Sequence, residues 1–142
     1  MNVSLKICLN ILLMALMGLA GSAVFAAGVG QVQQMSGTLS AQRADGSVRI
    51  LSQKSEVLPG DILTTQKDSY VQINFSDGSS MTMRPNTQMK IESYQFEESK
   101  PHEDNAFFRL IKGGLRTVTG LVGKRGNQDA YRIGTTTATI GI

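Results

Sequence analysis

The sequence predicts an all-β domain of about ten short, mostly antiparallel strands, in a sandwich or a solenoid-like stack. Three observations predict it. Short runs alternate apolar and polar residues, and glycine, serine and threonine interrupt the chain every few positions. No long segment of residues 27–142 has apolar residues at the 3.6-residue spacing of an amphipathic helix. A single domain formed by residues 27–142 can bury roughly two-thirds of its unfolded surface.

The N-terminal segment, residues 1–26, has the pattern of a secretory signal peptide. Lys6 supplies a basic start, residues 7–20 are almost wholly apolar, and small residues lead to a cleavage position after Ala26. The apolar run is short for a membrane span, which needs about 20 residues. We therefore expect cleavage and a domain at 27–142 in the periplasm or outside the cell, with an uncleaved anchor as the alternative.

The expected mature domain contains no cysteine, because Cys8 is the only one in the chain. Disulfides would be permitted in an exported protein, so this domain must rely on backbone pairing and apolar packing. The formal net charge of the whole chain is +3. That value is too small to indicate nucleic-acid binding.

Two Asp-Gly pairs, at 45–46 and 77–78, predict β-hairpins, because this dipeptide accepts positive φ at both central turn positions. After the first turn we expect Val48 and Ile50 to point into the core. Around and after the second turn, apolar residues alternate with polar ones, and the apolar set is expected to face inward: Val71, Ile73, Phe75, Met81, Met83, Met89 and Ile91.

The segment 110–126 raises the question of a phosphate-binding loop, since it holds five glycines and four basic residues. A Walker A loop needs Ser or Thr after its Gly-Lys, whereas the pair at 123–124 is followed by Arg125, and no glycines here fit G-x-G-x-x-G. The glycines instead predict tight corners between strands, one at 113–114 and another over 120–126.

Residues 27–142 lack the usual chemistry of catalysis and metal binding. Their only histidine, His102, lies in a polar segment, 97–105, with Glu103 and Asp104 beside it and no nucleophile motif. Without cysteine and with one histidine, a zinc or iron site would lack its usual ligands, and the carboxylates match no EF-hand spacing. We therefore predict no enzyme, no catalytic residue, no cofactor and no metal.

Charge changes sign along the second half of the chain. Residues 92–104 hold five acids and one base, whereas residues 105–142 hold six bases and one acid. Such runs are most often the solvated faces of strands. The alternative is a basic surface for an acidic partner, and the candidate partner-binding residues are Arg116, Lys124 and Arg125.

Three blocks in fixed order resemble the FecR domain: "GDILTTQKDSYVQINFSDGSSMTMRPNTQMKIESY", "FRLIKGGLRTVTGLVGKRG" and "YRIGTTTATIGI", from Gly60 to Ile142. The family's named members regulate iron uptake, with a cytoplasmic anti-sigma segment, one membrane span and this domain in the periplasm. There the domain receives a signal from an outer-membrane siderophore transporter by protein contact. The resemblance implies an all-β, non-catalytic interaction module outside the cytoplasm.

Two features depart from the family pattern. A signal peptide stands where the anti-sigma segment would be, so we expect an exported FecR-like module without that role. The family motif usually continues past "ATIGI" with Arg-Gly-Thr, so we also expect truncation at the C-terminal end, with a partner that covers the edge of the last strand as the alternative.

We therefore expect a module that binds another envelope protein, in signalling or surface assembly, through exposed strand edges and the basic corner at Arg116, Lys124 and Arg125. The alternative is a module for cell-wall glycan or another anionic polymer, for which Tyr94 and Phe96 are the candidate exposed aromatic residues.

Overall fold

The computed structural model describes residues 28–136 and 139–141, which form a two-layered, almost entirely β domain. The predicted signal peptide lies outside the described residues. In the described part of the chain, no helix is long and apolar enough to cross a membrane. The strands are β1 (Gly30–Ser36), β2 (Leu39–Gln42), β3 (Val48–Leu51), β4 (Glu56–Val57), β5 (Ile62–Thr65), β6 (Tyr70–Phe75), β7 (Ser80–Met83), β8 (Gln88–Gln95), β9 (Asn105–Lys112), β10 (Leu115–Val118), β11 (Tyr131–Gly134) and β12 (Thr139–Gly141), with 3-10 turns at Pro101–Glu103 and Gln128–Ala130.

The strands form two sheets. One has five strands in the order β10-β7-β6-β1-β4, and the other has seven in the order β12-β11-β9-β8-β5-β2-β3. Strands β9 and β11 pair in parallel, and the other pairs of the described residues are antiparallel. The all-β prediction is confirmed, and of its two alternatives the structure has the sandwich.

The core forms where the alternating runs predicted it. In the hairpin β6–β7, Ile73 lies opposite Met81, and both are fully buried. Phe75 joins the two sheets, since its ring centroid lies 5.1 Å from that of Phe108 and 5.5 Å from that of Tyr94. Each large apolar side chain buried in this way contributes about 1.5–3 kcal/mol. All seven residues predicted to face inward around and after the second turn are buried.

The prediction that Val48 and Ile50 point inward is wrong. Their exposed fractions are 65% and 71%. The hairpin β2–β3 forms as expected, but its register places Val48 opposite Gln42 and Ile50 opposite Ser40. Both apolar residues therefore lie on the outer face of β3, which is the edge strand of its sheet.

The glycine-rich corner at 113–114 joins two strands, as predicted, but the strands belong to different sheets. Strand β9 lies in the seven-stranded sheet, whereas β10 pairs with β7 in the five-stranded one. Gly113 has φ +85°, and a Cβ there would lie 2.6 Å from Cα of Thr87. Only glycine lets the chain cross between the layers at this point without displacing a neighbouring backbone.

Candidate functional site

The predicted basic corner is only partly a free surface. Arg116 is exposed on β10, and Lys124 is exposed in the turn that follows, where its Nζ donates to the carbonyl of Thr119 at 3.0 Å. Both side chains can therefore reach solvent and a partner. The proposed role of these residues in partner binding stays a prediction.

Arg125 is held within the domain instead. Its guanidinium donates to both carboxylate oxygens of Asp104, at 3.0 and 2.5 Å, and to the carbonyls of Glu97 and Glu98. It also lies 4.9 Å from the ring centroid of Phe96. The hydrogen bonds with Asp104 raise the pKa of Arg125. Arg125 thus fastens the acidic segment 97–104 to the glycine-rich segment 120–126. Arg116 and Lys124 remain the outward-facing members of the predicted set.

The acidic and basic runs of the sequence therefore meet within the fold. Asp104, which lies in the polar segment of the sequence, is buried and pairs with Arg125, whereas residues 97–103 are exposed. On the neighbouring strands, Arg109 Nε donates to Glu92 at 2.8 Å. Part of the change of sign along the chain is internal pairing rather than a basic surface.

The buried carboxylate of Asp77 accepts four hydrogen bonds at the turn between β6 and β7. Its Oδ1 accepts hydrogen bonds from the amide and hydroxyl of Ser79, at 3.0 and 2.6 Å, and from the hydroxyl of Tyr94 at 2.8 Å. Its Oδ2 accepts from the amide of Val122 at 3.1 Å. Burial is the main cause that raises the pKa of Tyr94, and Asp77 adds to it. Sequence reasoning missed this role, because the same Asp-Gly-Ser turn occurs at Asp45, where the carboxylate is exposed.

The segment 120–126 needs a glycine at position 120, where it packs on the turn that contains Asp77. A Cβ on Gly120 would lie 2.4 Å from the carbonyl oxygen of Asp77 and equally close to the amide nitrogen of Ser79. The amide of Leu121 donates to that same carbonyl at 3.0 Å. The turn that carries Lys124 is therefore placed by close backbone contact with the β6–β7 hairpin.

The expected exposed aromatic residues, Tyr94 and Phe96, are both partly buried. Tyr94 stacks on Phe75, and Phe96 lies under Arg125. A different ring, Phe107 on β9, has two cations near it, with Arg132 at 5.0 Å and Arg109 at 5.8 Å from its centroid.

His102 is exposed in the 3-10 turn Pro101–Glu103. Across residues 28–136 and 139–141, no three His, Cys, Asp or Glu side chains are grouped to hold a metal ion.

A groove lies between two sheet edges. Strand β3 is the edge of the seven-stranded sheet, and β4, which follows it after a tight turn, is the edge of the five-stranded sheet. The groove has a volume of about 790 Å³. Its lining includes Ile50, Leu58 and Pro59, which are apolar, and five charged residues: Arg43, Asp45, Arg49, Glu56 and Asp61.

An ion pair lies in the wall of this groove. Arg43 lies 2.6 Å from Oδ2 of the buried Asp61, which also accepts from the amide of Leu58 at 2.8 Å. Burial raises the pKa of Asp61, and the Leu58 amide and the charge of Arg43 oppose that rise. Oδ1 of Asp61 has no hydrogen-bond partner within the described residues. The pair ties β2 to the start of β5 and so fixes the position of the β2–β3 hairpin.

Comparison with known proteins identifies the family. The family model described as FecR protein matches residues 61–142. The chain belongs to the FecR family. The resemblance noted from Gly60 onward is thereby confirmed, and family membership fits a non-catalytic, envelope-associated module.

Two other comparisons add little to the FecR assignment. A solved structure described as "Cell surface anchoring domain" has 21% sequence identity and a TM-score of 0.43, over 44% of this chain and 83% of that one. Likeness at that level carries no functional argument. No curated protein matches the chain. The strands β1 to β4, and with them most of the groove, precede the segment that the FecR model matches, whereas Arg116, Lys124 and Arg125 lie within it.

Proposed function

We propose that this FecR-family protein is an exported, non-catalytic module that binds an extended segment of another envelope protein along the free edge of β3. The observation that carries the proposal is an edge strand with two strongly exposed apolar side chains, Val48 and Ile50, beside a groove. Natural sheets usually protect such edges, because unpaired N–H and C=O groups recruit further strands. An edge left open in this way favours β-strand addition by a partner.

The energetics require backbone pairing as well as apolar contact. Covering Val48 and Ile50 would contribute on the order of 3 kcal/mol, given about 1.5–3 kcal/mol for each fully buried side chain and partial burial here. Micromolar affinity needs about 8 kcal/mol. The remainder has to come from main-chain hydrogen bonds along the edge and from charged groups in the groove.

The basic corner is proposed as a second, electrostatic contact. Arg116 and Lys124 are exposed, so they can attract an acidic region of the same partner and raise the association rate. The double variant R116A/K124A should weaken partner capture without unfolding the domain, and more at low than at high salt. Arg125 is left intact in this test, because its removal would disturb Asp104.

The test of the proposed function is photo-crosslinking in living cells, with a probe residue at position 50 and others at 116 and, as a control, at Ser99. Ser99 is exposed in the connection between β8 and β9, and strands β5 and β2 separate β8 from β3, so position 99 is the control for the β3 edge. Adducts are identified by mass spectrometry, together with the N-terminal residue of the processed chain.

A discrete protein adduct from position 50 that is absent from position 99, on a chain that begins at residue 27, supports the proposal. Equal labelling from all three positions, or none from position 50, contradicts edge binding. A retained N-terminus would contradict the exported form and favour an anchored protein.

A second candidate, binding of cell-wall glycan or another anionic polymer, is favoured by the proximity of Phe107 to both Arg109 and Arg132. An aromatic ring with two guanidinium groups offers both stacking and anion contacts. Because Arg109 also pairs with Glu92, the positive charge of this face is reduced. Retention on isolated envelope polymer that falls with salt and is lost in F107A would favour this function over protein binding.

A further inference from the structure

We infer that the partner segment carries alternating residues in the order basic, apolar, acidic, apolar, and pairs antiparallel with β3. This inference rests on the proposed function and names the chemistry of its partner. It also rests on the charged side chains of the β3 edge and the groove. Some of them are already paired within the fold, and the others are available to a partner.

Alternation along β3 assigns a different contact to each face of an added strand. Val48 and Ile50 are on the outer face, so the partner residues directly opposite them face outward as well. Arg49 and Leu51 are on the opposite face, since Arg49 lies opposite Ala41 and Leu51 opposite Leu39, both buried. The partner needs apolar residues on the outer face, opposite Val48 and Ile50, and charged residues between them, on the face of Arg49 and Leu51.

Two of the five charged groups in the groove are already paired with each other. Arg43 and Asp61 form the ion pair described above. Asp45 is held by the amide and hydroxyl of Ser47, at 2.9 and 2.6 Å. These hydrogen bonds lower the pKa of Asp45, and the charge of Arg49 makes a smaller contribution.

The two remaining charged residues of the groove are Arg49 and Glu56. Neither side chain makes a hydrogen bond or an ion pair to any described residue, and the charge of Arg49 acts only at longer range on Asp45. Glu56 follows the end of β3 closely, because the amide of Ser55 donates to the carbonyl of Ser52 at 3.0 Å and closes a tight turn. The groove therefore presents a cation beside the middle of β3 and an anion beyond its C-terminal end.

An antiparallel partner strand can place an opposite charge near both Arg49 and Glu56. Its residue opposite Arg49 would be acidic, and its residue opposite Leu51, which lines the groove together with Glu56, would be basic. Read from the partner's N-terminus, the residues opposite Leu51, Ile50, Arg49 and Val48 give the order basic, apolar, acidic, apolar. Opposite charges directly across an antiparallel pair are stabilising, and like charges are destabilising.

A second copy of the same chain fits this edge less well. The antiparallel register that places Val48 opposite Ile50 of the other copy also places Arg49 directly opposite its own equivalent. Like charges at directly opposite positions disfavour that pairing. The charge pattern therefore favours a different protein as the occupant.

Two peptides of identical composition test the order of charges. The first is Thr-Lys-Val-Glu-Val-Thr and the second is Thr-Glu-Val-Lys-Val-Thr, both with blocked ends. Each is titrated into the mature domain at low salt, and binding is followed by NMR shifts of the backbone amides of β3. We expect the first peptide to bind about tenfold more tightly, from two matched pairs against two mismatched ones. The double charge reversal R49E/E56K should exchange the preference.

The outcomes separate this inference from the proposed function. Equal affinities for the two peptides, shifts outside β3, or no binding by either would overturn the charge order. If the in-cell crosslink from position 50 still captures a protein, edge binding stands while the charge order fails. If the domain sediments as a dimer through β3, the occupant is a second copy and the inference is overturned.

Discussion

The substitution Asp77→Asn tests how much of the fold depends on one buried carboxylate. Asparagine keeps the shape of the side chain but turns one acceptor oxygen into an NH₂ donor. On one side, Oδ2 accepts from the amide of Val122, and on the other, Oδ1 accepts from Ser79 and Tyr94. Whichever way the amide is oriented, a donor faces another donor.

The less costly orientation sets the expected magnitude. It keeps an oxygen toward Ser79 and Tyr94 and leaves the amide of Val122, which is fully buried, without its acceptor. An unsatisfied buried donor costs about 1–3 kcal/mol, and the loss of charge weakens the remaining bonds by roughly another 1 kcal/mol. We expect a total loss near 3 kcal/mol, or a fall in Tm of about 12 °C for a domain of this size.

Urea unfolding followed by circular dichroism measures this loss, and the other Asp-Gly-Ser turn supplies the control. Asp45 makes the same two bonds to Ser47 as Asp77 makes to Ser79, but it is exposed. Asp45→Asn should therefore leave the unfolding midpoint nearly unchanged. The reasoning is refuted if Asp77→Asn costs less than about 1 kcal/mol, or if the two variants lose equal stability.

Three further substitutions test the remaining contacts. Arg43→Ala should lower the free energy of unfolding by about 3 kcal/mol at pH 7, since it leaves a buried carboxylate unpaired. Because the pKa of Asp61 is raised in the fold, this loss of stability should shrink as the pH falls and Asp61 is protonated. A loss that urea titrations find constant with pH would contradict this reasoning. Arg125→Ala should lower the unfolding midpoint and speed hydrogen exchange of residues 97–104, whereas unchanged protection would show that the bonds to Asp104 do not hold that segment. Burial raises the pKa of Tyr131 to about 12, so stability should fall as the pH rises from about 10 to about 12; Tyr131→Phe should lose less over that interval, and equal slopes would exclude this cause.

The sequence predicted the central strands well because their pattern is local. In β6 and β7, apolar residues alternate with polar ones on both sides of a tight turn, so Ile73 and Met81 had to share a face. The same reasoning failed for Val48 and Ile50. Alternation shows which residues share a face, but whether that face is buried depends on the position of the strand in the sheet, which only the fold decides.

The site was less predictable, because its contacts join residues far apart in the chain. Arg125 and Asp104 are 21 residues apart, and counting charges only assigned them to runs of opposite sign. The two Asp-Gly-Ser turns are identical in sequence, yet one is buried under the segment that contains Gly120 and the other is exposed. No local pattern distinguishes Asp77 from Asp45, since the difference lies in which distant segment packs on the turn.

The composition of β3 combines an open edge with a barrier to self-pairing. Two adjacent exposed apolar residues on an unprotected edge would invite pairing between copies, which natural edges counter with short length and charge. β3 has only four residues, and Arg49 stands between the two apolar ones. The cation disfavours the self-pairing register that best covers Val48 and Ile50, but it does not disfavour a partner with an acidic residue at that position. One side chain can therefore both limit self-association and select the partner, so loss of Arg49 would affect the two properties together.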